Sequence, residues 1–320
     1  MSTEAAPSAS GDDRKQRVVV AALLANLAIA ISKFVAAFLS GSTAMLAEAC
    51  HSLADSTNQV FLLIGLRRAG RPADDRHPFG YGTETYFWAF VVALCIFLVG
   101  GAFAVYEGIH KMLGPQQDLG NPLSAYVVLI VSIALESYSF WVALKEFAHL
   151  RRGRSIWTTL REARDPTVLT VLFEDAAALF GLFVALGGVA LSHATGSSLW
   201  DGGASVLVGV ALILVALVLA RHAKALLIGR SVPPSEQERI TAIARGAADV
   251  LAVVHIRTIH LGPEDVMCGL KLTFRRELDV ATLELRINEL EAALRRELPH
   301  LTRIYVEPGF DERRAEAGAA

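Results

Sequence analysis

Long apolar runs, separated by short polar segments, make up most of the first 230 residues of the chain. The first run extends from Val18 to Leu39, and because further runs of similar length follow it, we do not expect a cleaved signal peptide. A helix of about 20 apolar residues crosses the roughly 30 Å hydrocarbon core of a bilayer. We therefore predict six transmembrane helices, at residues 18–39, 42–66, 85–106, 123–147, 166–191 and 199–220.

The pattern changes after Pro233 and Pro234, where apolar positions become sparser and more regular. Residues 266–274 alternate between apolar and polar side chains, which is typical of a half-buried strand. The remaining elements are a helix at 235–247, a strand at 252–260, a helix at 279–297 and a strand at 301–306. This αββαβ order predicts a small α+β, ferredoxin-like domain with both helices on one face of the sheet.

These patterns divide the chain into regions of different character. We predict an all-α membrane domain joined to a small cytoplasmic α+β domain. The predicted regions are a cytoplasmic N-terminal tail at 1–17, the six-helix transmembrane domain at 18–230, the αββαβ domain at 231–312 and a disordered tail at 313–320.

Composition supports a membrane protein and excludes several other classes. Hydrophobic residues make up 53% of the chain and charged residues only 19%, which is too apolar for an ordinary soluble domain. A net charge of −2 provides no electrostatic field for nucleic acid, so we expect no nucleic-acid partner. The cysteines Cys50, Cys95 and Cys268 form no C-x-x-C pair, which disfavours a thiolate zinc module.

Basic residues are concentrated in every second link between the predicted helices, and this asymmetry indicates how the helices are oriented in the membrane. They precede the first helix and fill the links between the second and third and between the fourth and fifth, whereas the intervening loops contribute only Lys111. Because loops rich in lysine and arginine stay in the cytoplasm, both termini are predicted to be cytoplasmic.

The second predicted helix carries three ionisable residues within a membrane segment, where such groups are costly and mark candidate sites. Glu48, His51 and Asp55 are spaced i, i+3 and i+7, which places them along one helical face. A histidine and an aspartate four residues apart can converge on one cation, since imidazole and carboxylate are both metal ligands. The alternative is a cluster of hydrogen bonds between helices.

The fifth predicted helix carries two adjacent carboxylates, Glu174 and Asp175, in an otherwise apolar run. Two neighbouring carboxylates in a membrane repel each other unless a positive charge lies beside them. A divalent cation between the second and fifth helices meets that requirement, with Asp175 as the more direct ligand. The alternative is one neutral carboxylic acid beside a second that is hydrogen-bonded to a neighbour.

Three motifs resemble those of the cation diffusion facilitator family of zinc transporters. They occur in the order and at the topological positions expected for that family. The residues around 173–179 and 226–232 resemble the branch that contains the mitochondrial zinc exporter. The motifs are Ser40 to Asp55, His77-Pro78-Phe79-Gly80-Tyr81-Gly82, and Asp201 at the start of the sixth helix.

The resemblance implies a transport site built from a His/Asp-x-x-x-Asp pair on the second helix and another on the fifth. His51 and Asp55 match the first pair, and Asp175 matches the final ligand. The position four residues before Asp175 is Val171, which cannot bind metal. The candidates for the fourth ligand are Glu174, ranked first, Glu48 and a water molecule.

Accessory metal sites of the family are incomplete in this sequence. The loop between the second and third helices keeps Asp74 and His77, but Tyr81 stands where some members have another histidine. Glu136, in the fourth helix, is a candidate proton acceptor or a partner for a polar neighbour. We expect no tight dinuclear zinc cluster in the cytoplasmic domain, where Lys271, Tyr305 and Glu307 replace ligands beside the scattered side chains of His255, His260, Cys268 and His300.

The predicted function is export of a divalent metal cation by proton-coupled antiport in a secondary active transporter, not an enzyme. The expected partners are the cation, protons, the lipid bilayer and a second copy of the chain, with no permanently bound cofactor. The expected location is the bacterial inner membrane, as a multi-pass protein. The sequence contains no nucleotide-binding P-loop, which argues against an ATP-driven pump.

Other substrates and one other class of function stay open at this point. One imidazole with carboxylates suits Fe²⁺, Co²⁺ and Mn²⁺ as well as Zn²⁺, and zinc is favoured by the resemblance. A membrane-embedded metalloenzyme, with the same residues activating water, is the alternative from another class. It is disfavoured because the chain has no H-E-x-x-H motif.

Overall fold

The computed structural model describes residues 9–40, 43–114, 122–151 and 155–309 of the chain. Side chains at 9–18, 36–37, 39–40, 43–51, 54–55, 122 and 124–125 lie outside this description, so only the backbone of these positions is considered. The predicted tail at 313–320 also lies outside the described residues.

Helices dominate the part of the chain before residue 230. Their bounds are α1 Ala9–Ser40, α2 Thr43–Ala69, α3 Glu84–Cys95, a π-helical segment Ile96–Ala102, α4 Phe103–Leu113, α5 Pro122–Arg151, α6 Ile156–Glu162, α7 Pro166–Thr195 and α8 Leu199–Ile228.

Several of these helices have the length and composition of membrane spans. Among the described residues, Glu84–Leu113, Tyr126–Arg151, Pro166–Thr195 and Leu199–Ile228 are long and apolar enough to cross a bilayer, and Val19–Val35 is a shorter apolar stretch. Helix α2 carries polar and ionisable residues, and several of its positions lie outside the residues compared in this way. A multi-pass helical membrane region is therefore present, while the count of six spans remains a prediction from the sequence.

Several helix boundaries differ from the predicted ones, and the fourth, fifth and sixth predicted helices end later, at Arg151, Thr195 and Ile228. Helix α1 begins at Ala9 rather than Val18. The third predicted span contains the π-helical segment and continues to Leu113. Helix α6 lies in the arginine-containing link between the fourth and fifth predicted spans, where no helix was predicted. Short amphipathic pieces and i→i+5 turns leave little trace in an apolar pattern.

Helix α7 has clear sequence signals at both ends. Asp165 precedes it, and its side chain accepts a hydrogen bond from the backbone amide of Thr167 at 2.9 Å. Pro166 occupies the first helical position, where its missing amide hydrogen costs nothing. Gly196 ends the helix in the left-handed conformation at φ 68°. These signals fix the length of the helix that carries Glu174 and Asp175.

The chain divides into two compact units, which we describe separately. The membrane unit comprises Met1–Gly70 and Glu84–Lys224, and the sheet unit comprises Arg71–Thr83 and Ala225–Ala320. The loop Arg71–Thr83 connects α2 with α3 along the chain, yet it groups with the C-terminal residues.

The membrane unit has an apolar core formed mainly by small and branched side chains of α1, α2, α3, α5, α7 and α8. Two glycine pairs allow close packing around the π-helical segment. A Cβ on Gly101 would lie 3.1 Å from the Gly209 carbonyl oxygen, and one on Gly108 would lie 2.6 Å from that of Gly202. Since real Cβ atoms do not tolerate the shorter of these distances, the backbones of α4 and α8 approach as closely as helices with small residues can.

The sheet unit contains the predicted αββαβ order. Its elements are α9 Pro234–Gly246, β1 Val250–Gly262, β2 Asp265–Phe274, α10 Val280–Glu297 and β3 Leu301–Gly309.

Strand β2 lies at the centre of the three-stranded sheet. It pairs with β1 in antiparallel and with β3 in parallel register. The alternation predicted for β2 is present, because Val266, Cys268, Leu270 and Leu272 are all buried. Both helices contribute to the same apolar cluster as this face, which includes Ile240 of α9 and residues of α10.

The loop Arg71–Thr83 packs within the sheet unit at the turn between β1 and β2. A Cβ on Gly82 would lie 2.5 Å from the carbonyl oxygen of Leu261, so the two backbones are in direct contact. The Arg303 guanidinium of β3 lies over the Phe79 ring, 5.6 Å from its centroid. These contacts hold the His77 to Gly82 motif against the sheet.

Candidate metal site on helices α2 and α7

Helix α2 carries the predicted ligands His51 and Asp55 and the accessory candidate Glu48. Their backbone is helical, which agrees with the i, i+3, i+7 spacing used to predict one face. Their side chains lie outside the described residues.

Asp175 of α7 is fully buried, and its two carboxylate oxygens differ in their hydrogen bonding. Its exposed fraction is 0%, and its Oδ2 accepts a hydrogen bond from the Ser139 hydroxyl of α5 at 2.8 Å. Among the described residues, the other oxygen, Oδ1, has no hydrogen-bond partner. A buried carboxylate oxygen without a partner is costly, and a bound cation would satisfy it.

Glu174, the first candidate for the fourth ligand, is held by two side-chain amides of α2. The Asn58 Nδ2 donates to Oε1 at 2.9 Å, and the Gln59 Nε2 donates to Oε2 at 2.9 Å. All three side chains are buried. A carboxylate has about four lone-pair directions, and the two amides use two of them.

A third amide extends this polar layer to α1. Asn26 Nδ2 donates to Gln59 Oε1 at 3.3 Å, and Asn26 is buried. The layer therefore joins α1, α2 and α7, and Ser139 adds α5 through Asp175. The sequence did not identify Asn26, Asn58, Gln59 or Ser139 as residues of the site.

Val171 and Glu136 are the other α-helical positions singled out for the site. Val171 is fully buried and belongs to the apolar core of the membrane unit. Glu136 of α5 is buried, with an exposed fraction of 4%, and it interacts with other groups of the protein. Within the described residues, no group of three or more His, Cys, Asp or Glu side chains lies close enough to hold a metal ion.

The accessory candidates Asp74 and His77 form a small hydrogen-bonded network with Tyr81. The Tyr81 hydroxyl donates to Asp74 Oδ2 at 2.7 Å, and the His77 backbone amide donates to Asp74 Oδ1 at 2.7 Å. The His77 and Tyr81 rings lie 4.3 Å apart between centroids. The Tyr81 hydroxyl, followed by the His77 amide, lowers the pKa of the Asp74 carboxyl below its ordinary value.

The candidate ligands of the sheet unit have partners within the protein. His260 Nδ1 lies 2.7 Å from the Arg230 carbonyl oxygen, and His300 Nε2 lies 3.0 Å from Glu236 Oε2. Cys268 is fully buried, and burial raises the pKa of its thiol to about 12. A thiol of that pKa stays protonated at neutral pH.

Comparison with known protein families gives one match that covers most of the membrane region. The sequence profile of the cation efflux transmembrane domain matches residues 19–228. These residues include α2, α7 and the buried polar layer that joins them.

Comparison with curated proteins gives relatives named as zinc antiporters. The mitochondrial proton-coupled zinc antiporter SLC30A9 of Xenopus laevis is 32% identical over 282 residues, which are 86% of this chain and 50% of that protein. The human protein of the same name is 31% identical over 265 residues, which are 82% of this chain and 45% of that protein. The chain thus spans about half the length of these relatives.

A more distant relative matches along nearly its whole length. The magnetosome protein MamB of Magnetospirillum gryphiswaldense is 24% identical over 92% of this chain and 95% of its own. A solved structure of a MamM C-terminal domain in its nickel form covers 25% of this chain and 100% of its own. Its identity is 20% and its TM-score 0.24, a value too low to carry an argument.

Proposed function

Because the chain belongs to the cation diffusion facilitator family, we propose that it transports a divalent cation, with Zn²⁺ as the principal substrate, across a membrane in exchange for protons. The observation that carries this proposal is Asp175, a fully buried carboxylate in a span-length apolar helix with one oxygen unpartnered among the described residues. Such a group is retained in a membrane segment where it serves an ion.

The proposed ligands are His51 and Asp55 of α2 and Asp175 of α7, with Glu174 in the fourth position. The contacts of Asn58 and Gln59 with Glu174 support the pairing of these two helices, since they bring α2 within hydrogen-bond distance of α7. Position 55 lies four residues before Gln59, which is one turn along the same face of α2.

Proton exchange follows from the chemistry of these ligands. Imidazole and carboxylates bind metal only in their deprotonated forms, so metal and protons compete for the same atoms. A site that binds the cation on one side and protons on the other couples the two fluxes when it alternates between sides. The antiporter names of the relatives support this coupling.

Two further parts of the proposal concern assembly and location. We propose that six helices span the membrane with both termini cytoplasmic, and that the sheet unit forms a homodimer. We propose the bacterial inner membrane as the location, while the animal relatives carry mitochondrial names. Sedimentation of the purified full chain in detergent tests the dimer, and a monomer at high concentration contradicts it.

The central test is transport by the full chain in proteoliposomes that contain a pH-sensitive dye. We expect Zn²⁺ to drive proton movement, with Fe²⁺, Co²⁺ and Mn²⁺ compared in the same assay. Asp175→Asn should abolish the signal, and Glu174→Gln should weaken it. Thr170→Val is the matched control, because the Thr170 hydroxyl is buried in the same helix and donates only to the Pro166 carbonyl at 2.8 Å.

Each outcome of this assay decides one part of the proposal. No metal-dependent signal from the parent with any of the four metals contradicts transport. A signal for Mn²⁺ or Fe²⁺ without one for Zn²⁺ keeps the transporter and changes its substrate. If Glu174→Gln transports like the parent while Asp175→Asn is inactive, the fourth ligand is a water or Glu48.

A further inference from the structure

Two neighbouring amides of α2 converge on a single carboxylate of α7 within the membrane unit. Asn58 and Gln59 donate to different oxygens of Glu174, both at 2.9 Å. The exposed fractions are 4% for Asn58, 0% for Gln59 and 7% for Glu174. We call these three side chains the amide clamp.

The orientation of the Gln59 amide in the clamp is set from a third helix. Asn26 of α1 donates to Gln59 Oε1 at 3.3 Å, so the Nε2 end of Gln59 is turned toward Glu174. An amide can present either end to a neighbour, and the surrounding hydrogen bonds select the end. The contact of α1 with α2 therefore determines that Gln59 presents its amide nitrogen, a donor, to Glu174.

The position of the clamp relates it to the proposed metal ligands. Asn58 and Gln59 follow Asp55 by three and four residues, one helical turn along α2. Glu174 precedes Asp175, and adjacent residues of an α-helix diverge by about 100° around its axis. Fixing Glu174 against α2 therefore also fixes the rotation of α7 and the direction of Asp175, which Ser139 holds from α5 at 2.8 Å.

We infer that Asn58 and Gln59 are positioning residues of the transport site, which hold the Glu174 carboxylate and the rotation of α7 so that the cation meets ligands already in place. This inference rests on the proposed function. Carboxylates that bind metals are usually held by such hydrogen bonds, and the loss of a partner typically weakens metal binding by about 10- to 100-fold.

The test is Zn²⁺ binding by the purified full-length protein, measured by competition with a chromophoric chelator. Gln59→Met and Asn58→Leu remove the amide donors and replace them with apolar side chains of similar size. We expect each to raise the dissociation constant by about 10- to 100-fold. Thr170→Val, which removes a buried hydroxyl outside the clamp, should bind like the parent.

Thermal stability separates positioning from packing. If the clamp only supports folding, the variants lower the melting temperature while their folded fraction binds Zn²⁺ with the affinity of the parent. That result overturns the inference. Should one clamp variant not fold, the other takes its place, because each removes one of the two donors to Glu174. Unchanged Zn²⁺ affinity in that variant also overturns it.

A double-mutant cycle tests whether Asn58 acts through Glu174. In a Glu174→Gln background, Asn58→Leu should weaken Zn²⁺ binding little further, since contacting residues that work as a unit are not additive. Fully additive losses contradict the inference. Absence of Zn²⁺-driven flux in the parent would refute the proposed function, and parent-like binding and flux in His51→Ala and Asp55→Ala would refute its ligand set. Loss in those two variants with unchanged clamp variants refutes only the inference.

Discussion

In the membrane unit amide and carboxylate side chains lie inside, whereas in the sheet unit most charges lie at the surface around an apolar core. Gln59 and Asp175 are fully buried, while the Arg239–Glu297 ion pair of the sheet unit is more than half exposed on both sides. Glu236 departs from this pattern, because it is buried in the sheet unit and pairs there with the partly buried His300. Buried polar groups cost stability, so a layer of them in the membrane unit indicates function.

The largest effect is expected when a proposed metal ligand is removed from α2, which tests whether the buried polar groups of the membrane unit serve function. We expect His51→Ala or Asp55→Ala to reduce metal-driven flux to background while the protein stays folded, because each change removes a costly intramembrane group along with the ligand. Flux in proteoliposomes and the elution profile in detergent measure the two effects. Thr57→Val is the control on the same helix, since Thr57 is exposed and donates only to the Leu53 carbonyl. Full flux in either alanine variant would exclude that residue as a ligand.

The next test concerns the apolar core of the sheet unit. Leu272 is fully buried in β2, and Leu272→Ala should cost about 2–5 kcal/mol of the free energy of unfolding. Urea unfolding of a fragment of residues 231–312 measures this cost. Leu285→Ala, at a position that is 53% exposed, is the control and should change stability by less than about 0.5 kcal/mol. Equal losses at both positions would mean that the core described for this unit is wrong.

A smaller effect is expected from the surface charges of the same unit. The Arg239 guanidinium lies 3.3 Å from Glu297 Oε2, with both side chains more than half exposed. Exposed ion pairs contribute only about 0–1 kcal/mol, so Arg239→Ala should change the free energy of unfolding within that range. The same urea assay at low and high salt measures it. A loss of unfolding free energy as large as that of Leu272→Ala would show that the surface charges of the sheet unit are not weak contacts.

The smallest effect concerns the exposed loop that carries Asp74. Hydrogen bonds lower the pKa of Asp74 below its ordinary value of 3.8, so their contribution is present above that pH and is lost as the pH falls through the lowered value. Tyr81→Phe removes the leading cause, and the pKa should rise toward the ordinary value. Amide hydrogen exchange of residues 71–83 in the full chain should then lose protection at a higher pH than in the parent. Identical profiles would show that the Tyr81 bond does not form in solution.

Sequence patterns predicted the elements of the sheet unit closely and the contacts of the membrane unit poorly. The alternation at 266–274 identified β2 because one face of that strand is buried and the period of two is preserved. Asn58 and Glu174 are 116 residues apart, and no local pattern indicates that they meet. Helix periodicity showed that α2 has a polar face, but the partner of that face depends on tertiary packing.

The ligand candidates were predicted by a motif, and their surroundings were not. The candidates His51 and Asp55 follow from a spacing of four residues on one helix, and Asp175 follows from the family resemblance, both of which a single sequence can display. The role of Ser139 could not be predicted, because serine is common in membrane helices and donates to many partners. Residues that orient ligands have no fixed spacing, so they become visible only when the helices are assembled.

The π-helical segment Ile96–Ala102 has a consequence for how this sequence tolerates insertions and deletions. Gly101 meets Gly209 and Gly108 meets Gly202 at backbone distance, and the two glycines of each helix are seven residues apart. The wider turn accommodates one residue more than an α-helical turn would. A deletion between 103 and 107, where the winding is α-helical and holds no extra residue, would rotate Gly108 relative to Gly101 by about 100° and disrupt one of the two glycine contacts. Evolution along this helix is therefore expected to exchange side chains freely on its outer face and to preserve its residue count.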